Sequence, residues 1–515
     1  MYDVAVIGAG MAGQVCANYL ARAGKSVVLI EQNHQGGGNM SGFRREGYFF
    51  DGGDQSFESL GIVFPILDEL GLYDPDDWVK ADFRMISDDF DFRIDSLEHV
   101  EQILQESFPD EPGIKPLFDE IRQVSQFLDR QYNPEDIPLL NDFRISRVLA
   151  LTPWLAKIRK WLTFDYRVKA CSVIQNPALR NWFTYIGYYR MPYLFFAGFW
   201  HIWATDYWYP KGGMQAFHKR LTDSFTAHGG TALFKTSAEN IVVRGGKATG
   251  VTITAGNCDT DVIEAETLVY AGDYKRLITD LLPEGTFPRK RVKRVLDGKL
   301  TESLVNVYLG VDISGDELAR QMGAHHAFYF PNYDVIFPDG RSPKDVHERM
   351  WVTLNYFGNE STGLAPEGKS NLVVQTYSPY EWENYWHNGS DSTYRTAEYR
   401  EFKREVGMQL VSTAENVVPG LGEKIEYFDV GTPLSSNRFS RNTIGSSGGW
   451  CYDDKESVVY RTGRFNMIRT PISNLLAAGH YTVWPGGVIS AALSGRMVAN
   501  VLLGKPLLAR MNRTR

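Results

Sequence analysis

The stretch Val4-Ala5-Val6-Ile7-Gly8-Ala9-Gly10-Met11-Ala12-Gly13 sets an apolar run directly before a glycine turn. The run predicts a strand from Tyr2 to Ile7, and the residues after the turn predict a helix from about Met11 to Ala23, ended by Gly24. A second strand, Ser26 to Ile30, finishes at Glu31, which stands 18 residues after Gly13. This is a complete β-α-β unit with G-x-G-x-x-G at the strand-to-helix turn, and each part has a physical task. Gly8 makes the tight turn, Gly10 lets backbone approach a pyrophosphate, and Gly13 lets the helix lie close to the strand. The helix N-terminus offers free N–H groups and the positive end of its dipole to phosphate oxygens. Glu31 is placed to accept hydrogen bonds from ribose hydroxyls. The candidate dinucleotide site is therefore Gly8, Ala9, Gly10, Met11, Ala12 and Gly13, with Glu31 and the adjoining Gln32. An acid at the ribose position disfavours the extra phosphate of NADP. The sequence holds no second unit of this kind, so no separate nicotinamide domain is visible.

Downstream, Gly37-Gly38-Asn39-Met40-Ser41 precedes Gly47-Tyr48-Phe49-Phe50-Asp51-Gly52-Gly53. In mid-chain, Trp208-Tyr209-Pro210-Lys211-Gly212-Gly213-Met214 leads into a helix over about 215–228 and a pair of strands around 239–243 and 250–253. That segment closes on Thr267-Leu268-Val269-Tyr270-Ala271-Gly272-Asp273. Near the end, Asn474-Leu475-Leu476-Ala477-Ala478-Gly479-His480-Tyr481-Thr482 and Trp484-Pro485-Gly486-Gly487-Val488-Ile489 precede a helix from about Ser490 to Leu503. In this order the motifs resemble the flavoprotein superfamily of the amine oxidases, and within it the group of phytoene desaturases, carotenoid isomerases and retinol saturases. The resemblance implies FAD as cofactor. It assigns Gly38, Asn39, Met40, Ser41 and Gly53 to the pyrophosphate and ribityl cradle, and backbone at Ile241 to the adenine. It assigns Gly479, His480, Gly486, Gly487, Val488 and Ile489 to the closing flavin motif. Two positions depart from the wider pattern: His480 stands where many members carry Asp, and Val488 where a third glycine is common. Histidine can donate where Asp would accept, so the ribityl contact differs there.

By size alone, 515 residues imply three domains. The flavin motifs lie in three separated pieces, which reduces the three to two. The fold class is α/β: a Rossmann-type FAD-binding domain assembled from residues 1–74, 205–299 and 462–515, with an α+β substrate domain interleaved at 75–204 and 300–461. Apolar residues at helical spacing predict helices over 63–72, 96–107 and 113–132; the second insert predicts strands at 303–309 and 371–377 and a helix over about 392–418.

Lys plus Arg is 54 against 62 Asp plus Glu, a net charge of −8 that argues against nucleic acid as a partner. The four cysteines form no C-x-x-C and the ten histidines no H-E-x-x-H, so neither a metal site nor a disulfide framework is expected. With no signal-peptide pattern, the expected location is cytoplasmic. The unusual quantity is aromatic content, 13% overall but 14 of the 28 residues from Trp182 to Tyr209. An aromatic wall beside a flavin suits a long apolar small molecule or lipid, with Trp200, Trp203, Tyr207, Trp208 and Trp484 as candidate substrate residues. From Arg144 to Lys169 there are seven basic residues and one acid, and Trp154, Leu155, Ile158, Trp161 and Leu162 recur at helical spacing among them. Together with the rest of 144–204, this segment predicts basic amphipathic helices that dock on an anionic membrane surface.

The resulting expectation is an FAD-dependent oxidoreductase or isomerase of carbon–carbon bonds in an apolar polyene, isoprenoid or lipid: desaturation, saturation or cis–trans isomerisation through hydride transfer at the flavin. Two rivals are an amine oxidase-like enzyme on a smaller substrate and a flavin- or lipid-binding protein without turnover. The sequence names neither a catalytic residue nor an oligomeric state.

Overall fold

The computed structural model describes residues 1–508 apart from 54, 133–148, 150–151, 164, 189–190, 257–260, 331–350, 391–393, 454 and 463–466. The strand Tyr2–Ile7 is buried from Val4 onward except at its edges, as a mid-sheet parallel strand must be. It pairs in parallel with Val27–Ile30 on one side and Asp261–Tyr270 on the other. Thr231–Leu233 extends the sheet beyond Val27–Ile30. Lys247–Ala255 and Thr236–Arg244 extend it, antiparallel, beyond the first half of Asp261–Tyr270, and Leu475–Ala477 lies parallel to the second half. Seven strands from the start, middle and end of the chain thus form one α/β layer, the Rossmann-type fold.

Two helices hold that layer's ligand face. Met11–Arg22 follows the glycine turn, and Val488–Leu502 packs against it. The approach is close: a Cβ on Gly495 would lie 2.3 Å from the Ala12 carbonyl oxygen. Only glycine permits that crossing.

A second seven-stranded sheet runs in the order Ile425–Gly431, Ser303–Val311, Ser370–Ser378, Val352–Asn355, His326–Tyr329, Phe83–Ile86, Asp91–Arg93. Its longest strands are the antiparallel pair Ser303–Val311 and Ser370–Ser378, in register from end to end. The strands expected at 303–309 and 371–377 are these two. The expected helix over 392–418 is shorter, Ala397–Ala414, because the Thr396 hydroxyl caps it by accepting from the Tyr399 N–H.

The aromatic stretch is divided at Pro192, which separates the helix Pro177–Tyr185 from Tyr193–Thr205. Among the described residues no helix is long and apolar enough to cross a membrane.

The basic segment lies against a neighbouring helix. Arg144 and Arg147 lie outside the described residues. The rest forms two helices, Leu155–Thr163 and Tyr166–Val173, with Asp165 capping the second. The tryptophan face turns inward: Trp161 is 2% exposed and stands 6.1 Å from the Phe127 ring, and Trp154 packs on both. Three of the bases turn toward the same helix, Ile114–Tyr132: Lys160 and Lys169 pair with Glu120, and Lys157 bonds Gln123, while Arg167 pairs with Asp165. The neighbouring helix covers the tryptophan part of the stripe and leaves Leu155 exposed.

Candidate functional site

Where the glycine turn leaves the first sheet, the backbone is committed before any ligand arrives. Gly8 has φ +100° and donates its N–H to the Ile30 carbonyl; a Cβ on Gly13 would lie 1.9 Å from the Gly8 oxygen. A Cβ on Gly10 would meet nothing nearer than the Gly38 Cα at 3.9 Å, so it would project into free space. That space is a cavity of about 350 Å³. Gly8, Gly10, Met11, Ala12, Glu31, Gln32, Gly38, Asn39, Met40, Gly479, His480, Gly487 and Val488 all line it. Ala9 stands behind the wall and gives its N–H to Glu31 Oε2 at 2.9 Å. Glu31 is buried, and burial raises its carboxyl pKa against the pull of the Asn33 and Ala9 N–H groups.

Two helices begin at this cavity, and neither has a side-chain cap: their N-caps are Gly10 and Gly487. Their first-turn N–H groups are left for a ligand, which suits an anion at the first. His480 is held neutral by burial, which pushes its pKa down to about 4.

Other expected residues lie elsewhere. Ile241 is sunk in the core beneath the sheet, and Thr236, Ser237, Ala238 and Glu239 of the same strand reach the cavity instead. A bulge between Ala238 and Asn240 shifts the register there. Ser41 is tied by its carbonyl to the Gly52 N–H, Gly486 by its N–H to the Gly448 carbonyl, and Ile489 packs into the core; none lines the first cavity.

A second cavity of about 170 Å³ lies against the second sheet, lined by Gly53, Trp203 and Tyr207 among others. Ser56, Tyr188, Phe199, Tyr207 and Ser447 line both cavities, so the two meet there. Trp200 is fully buried between Phe118, Trp182 and Trp203 and lines neither. Trp208 donates its indole N–H to Asp206 and stacks near Phe64, while Trp484 gives its carbonyl to the Ser490 hydroxyl. These two also stand off the cavity walls. The described residues of the second wall include no Asp, Glu, Lys or Arg.

Several wall residues escaped the sequence reading. Asp273, 1% exposed, caps its own helix through the Lys275 N–H and also accepts from the Thr443 N–H and the Tyr481 hydroxyl. Its signal was the acid closing the Tyr270-Ala271-Gly272 motif. Tyr188 and Phe199 were within the aromatic stretch but not distinguishable from its core members. Ser56, His326 and Asn355 had no local signal. Among the described residues no cluster of His, Cys, Asp or Glu is arranged to hold a metal.

Residues 6–70 match the NAD(P)-binding Rossmann-like domain, and residues 181–503 match the flavin containing amine oxidoreductase family. The chain is 23% identical to the all-trans-retinol 13,14-reductase of Danio rerio, over 97% of this chain and 86% of that one. It is 24% identical to the chloroplastic prolycopene isomerase of Daucus carota, over 97% and 79%. The solved structure of cyclohexylamine oxidase from Brevibacterium oxydans IH-35A shares the fold, with a TM-score of 0.61 at 14% identity over 98% of this chain and 99% of that one. With more than half its length matched, the closing helix included, the chain belongs to the flavin containing amine oxidoreductase family.

Proposed function

We propose that the chain is an FAD-dependent oxidoreductase acting on carbon–carbon bonds of a long apolar polyene, isoprenoid or lipid. The observation that carries this reading is the second cavity: aromatic, without a described charged wall residue, and joined to the dinucleotide cavity at Ser56, Tyr188, Phe199 and Tyr207. The first cavity fits FAD by its own construction. A side chain at Gly10 would fill the cradle, two uncapped helix N-termini open on it, and Glu31 waits at the ribose end. Gly8, Gly10 to Ala12 and Gly38 to Met40 would hold the pyrophosphate, Thr236 to Glu239 the adenine side, and Gly479, His480 and Val488 the flavin end.

A flavin bound there supplies a centre that accepts or returns a hydride. The chain's own contribution is orientation and dryness. Tyr188, Phe199, Trp203 and Tyr207 present apolar faces that align a polyene and keep water from the junction of the cavities. The retinol and prolycopene names of two relatives support the choice of a polyene. A protonated amine would need a carboxylate to offset its desolvation, and the described wall offers none. Contact with a membrane surface is part of the proposal: Leu155 and Val168 are 56% and 55% exposed on the basic helices.

The test is to release the flavin from purified protein, identify it by chromatography, and incubate holoprotein with polyenes and with primary amines. FAD, and a polyene product that has gained or lost two hydrogens or is a geometric isomer, support the proposal. Conversion of amines alone would overturn it.

A further inference from the structure

Within the second cavity, one polar chain starts at Ser56, where the two cavities meet, and runs away from the first through His326 to Asn355. Antiparallel pairing sets His326 directly opposite Asn355, and parallel pairing sets Phe83 on the other side of His326, its ring stacked at 4.7 Å. His326 Nδ1 lies 2.6 Å from Asn355 Oδ1, and Nε2 lies 2.6 Å from Ser56 Oγ. Ser56, His326 and Asn355 are all buried and all line the cavity.

The direction of each proton follows from one fixed group. Asn355 donates its Nδ2 hydrogen to the Val373 carbonyl at 3.1 Å, which leaves Oδ1 as the acceptor facing His326. His326 therefore carries its hydrogen on Nδ1, and Nε2 is left as an acceptor. Burial, the largest influence, keeps this ring neutral, its pKa pushed down to about 4 despite the Asn355 bond. The only hydrogen available between Nε2 and Ser56 is the serine's own, so the Ser56 hydroxyl donates to His326. Ser56 Oγ then meets the cavity with lone pairs only.

A neutral acceptor in a wall with no described charged side chain selects among ligand head groups. A hydrocarbon leaves Ser56 unanswered, an aldehyde brings a second acceptor, and a carboxylate brings repulsion with no cation on the described wall. An alcohol completes the chain, its O–H donating to Ser56 and onward to His326 and Asn355, each bond polarising the next. Resting on the polyene reading above, we propose that Ser56, positioned by His326 and Asn355, anchors a hydroxyl group on the apolar substrate and sets a preference for polyene alcohols over the matching hydrocarbons, aldehydes and acids.

The experiment titrates oxidised holoprotein in the dark with four C20 polyenes alike except for the head group: all-trans-retinol, the aldehyde, the acid and the methyl-terminated hydrocarbon. Quenching of the protein's tryptophans reports binding, since Trp203 and Trp351 line the cavity. The alcohol should bind at least about tenfold more tightly than the hydrocarbon and the aldehyde, the size of one net hydrogen bond. Ser56→Ala should reduce that advantage to less than about threefold, and Ser56→Thr, which keeps the hydroxyl, should restore it. An alcohol preference that survives Ser56→Ala, or equal binding of alcohol and hydrocarbon by the wild type, overturns the anchor alone. If none of the four binds, the polyene reading falls and takes the anchor with it.

Discussion

Gly10 and Gly13 occupy one turn, yet substitution should fail in different ways at each. At Gly13 a Cβ meets the Gly8 carbonyl oxygen at 1.9 Å, a contact that backbone must move to relieve. Gly13→Ala should therefore lower stability by about 3 kcal/mol or more, measured by denaturant unfolding of the apoprotein. At Gly10 φ is −72° and no protein atom stands within 3.8 Å, so Gly10→Val should fold with an unfolding midpoint close to wild type. Its side chain would occupy the cradle, and the purified protein should be colourless. A yellow Gly10→Val protein would refute the assignment of this cavity to the cofactor. These two glycines were legible in the sequence because the turn's constraints are local. The Ser56–His326–Asn355 chain was not: its members stand 270 and 29 residues apart and meet only through sheet register. Ile241, assigned by resemblance, has its side chain in the core, and Thr236 to Glu239 of the same strand line the cavity.

At the scale of elements, the closing helix is anchored by more than apolar contact. Arg496, whose side chain is 3% exposed, makes a two-pronged pair with Glu69, Nε to Oε2 at 2.8 Å and Nη2 to Oε1 at 3.1 Å, and Tyr19 also donates to Glu69. The cluster joins three helices: Met11–Arg22, Val63–Glu69 and Val488–Leu502. Removing one partner strands a buried charge. Arg496→Met should cost about 3–5 kcal/mol, and adding Glu69→Gln to it should recover part of that loss in denaturant unfolding. An additive double variant would show that the pair acts independently of its charge. The basic helices teach the complementary lesson. Their apolar stripe was legible from 3.6-residue spacing, but spacing does not tell what covers a stripe; Phe127, about 30 residues upstream, does. The two great strands of the second sheet, by contrast, were readable because long runs of Val and Leu with polar punctuation admit few other fates.

For the whole molecule, the buried histidines set a pH window. Burial depresses His326 and His480 to about 4 and His218 to about 3, below the unfolded value of 6.5. Each then contributes stability that is present above pH 6.5 and lost as pH falls through its folded value. His325 runs the other way. Burial pulls it down, but Asp82 and Glu360 outweigh that and raise it to about 9, so its contribution is complete below pH 6.5 and lost as pH rises through 9. Thermal unfolding should accordingly peak near pH 6.5 and decline on both sides, and replacing His325 by Gln should remove the alkaline decline. The net charge of −8 would oppose approach to an anionic bilayer, so membrane contact must come from the local basic face. Wild type should cofloat with anionic liposomes at low salt, and changing Lys157, Arg159 and Lys160 to Gln should release it; a wild type that never cofloats would remove membrane contact from the proposal.

The most direct measurement is anaerobic: photoreduce the holoprotein, add all-trans-retinol or a longer polyene, and record the flavin and polyene bands together. The expected result is return of the yellow flavin band matched by loss of polyene conjugation, or isomerisation of the polyene with the flavin present in one redox state. A flavin spectrum indifferent to every polyene in both redox states, with bleaching of the oxidised flavin by a primary amine, would contradict the assignment.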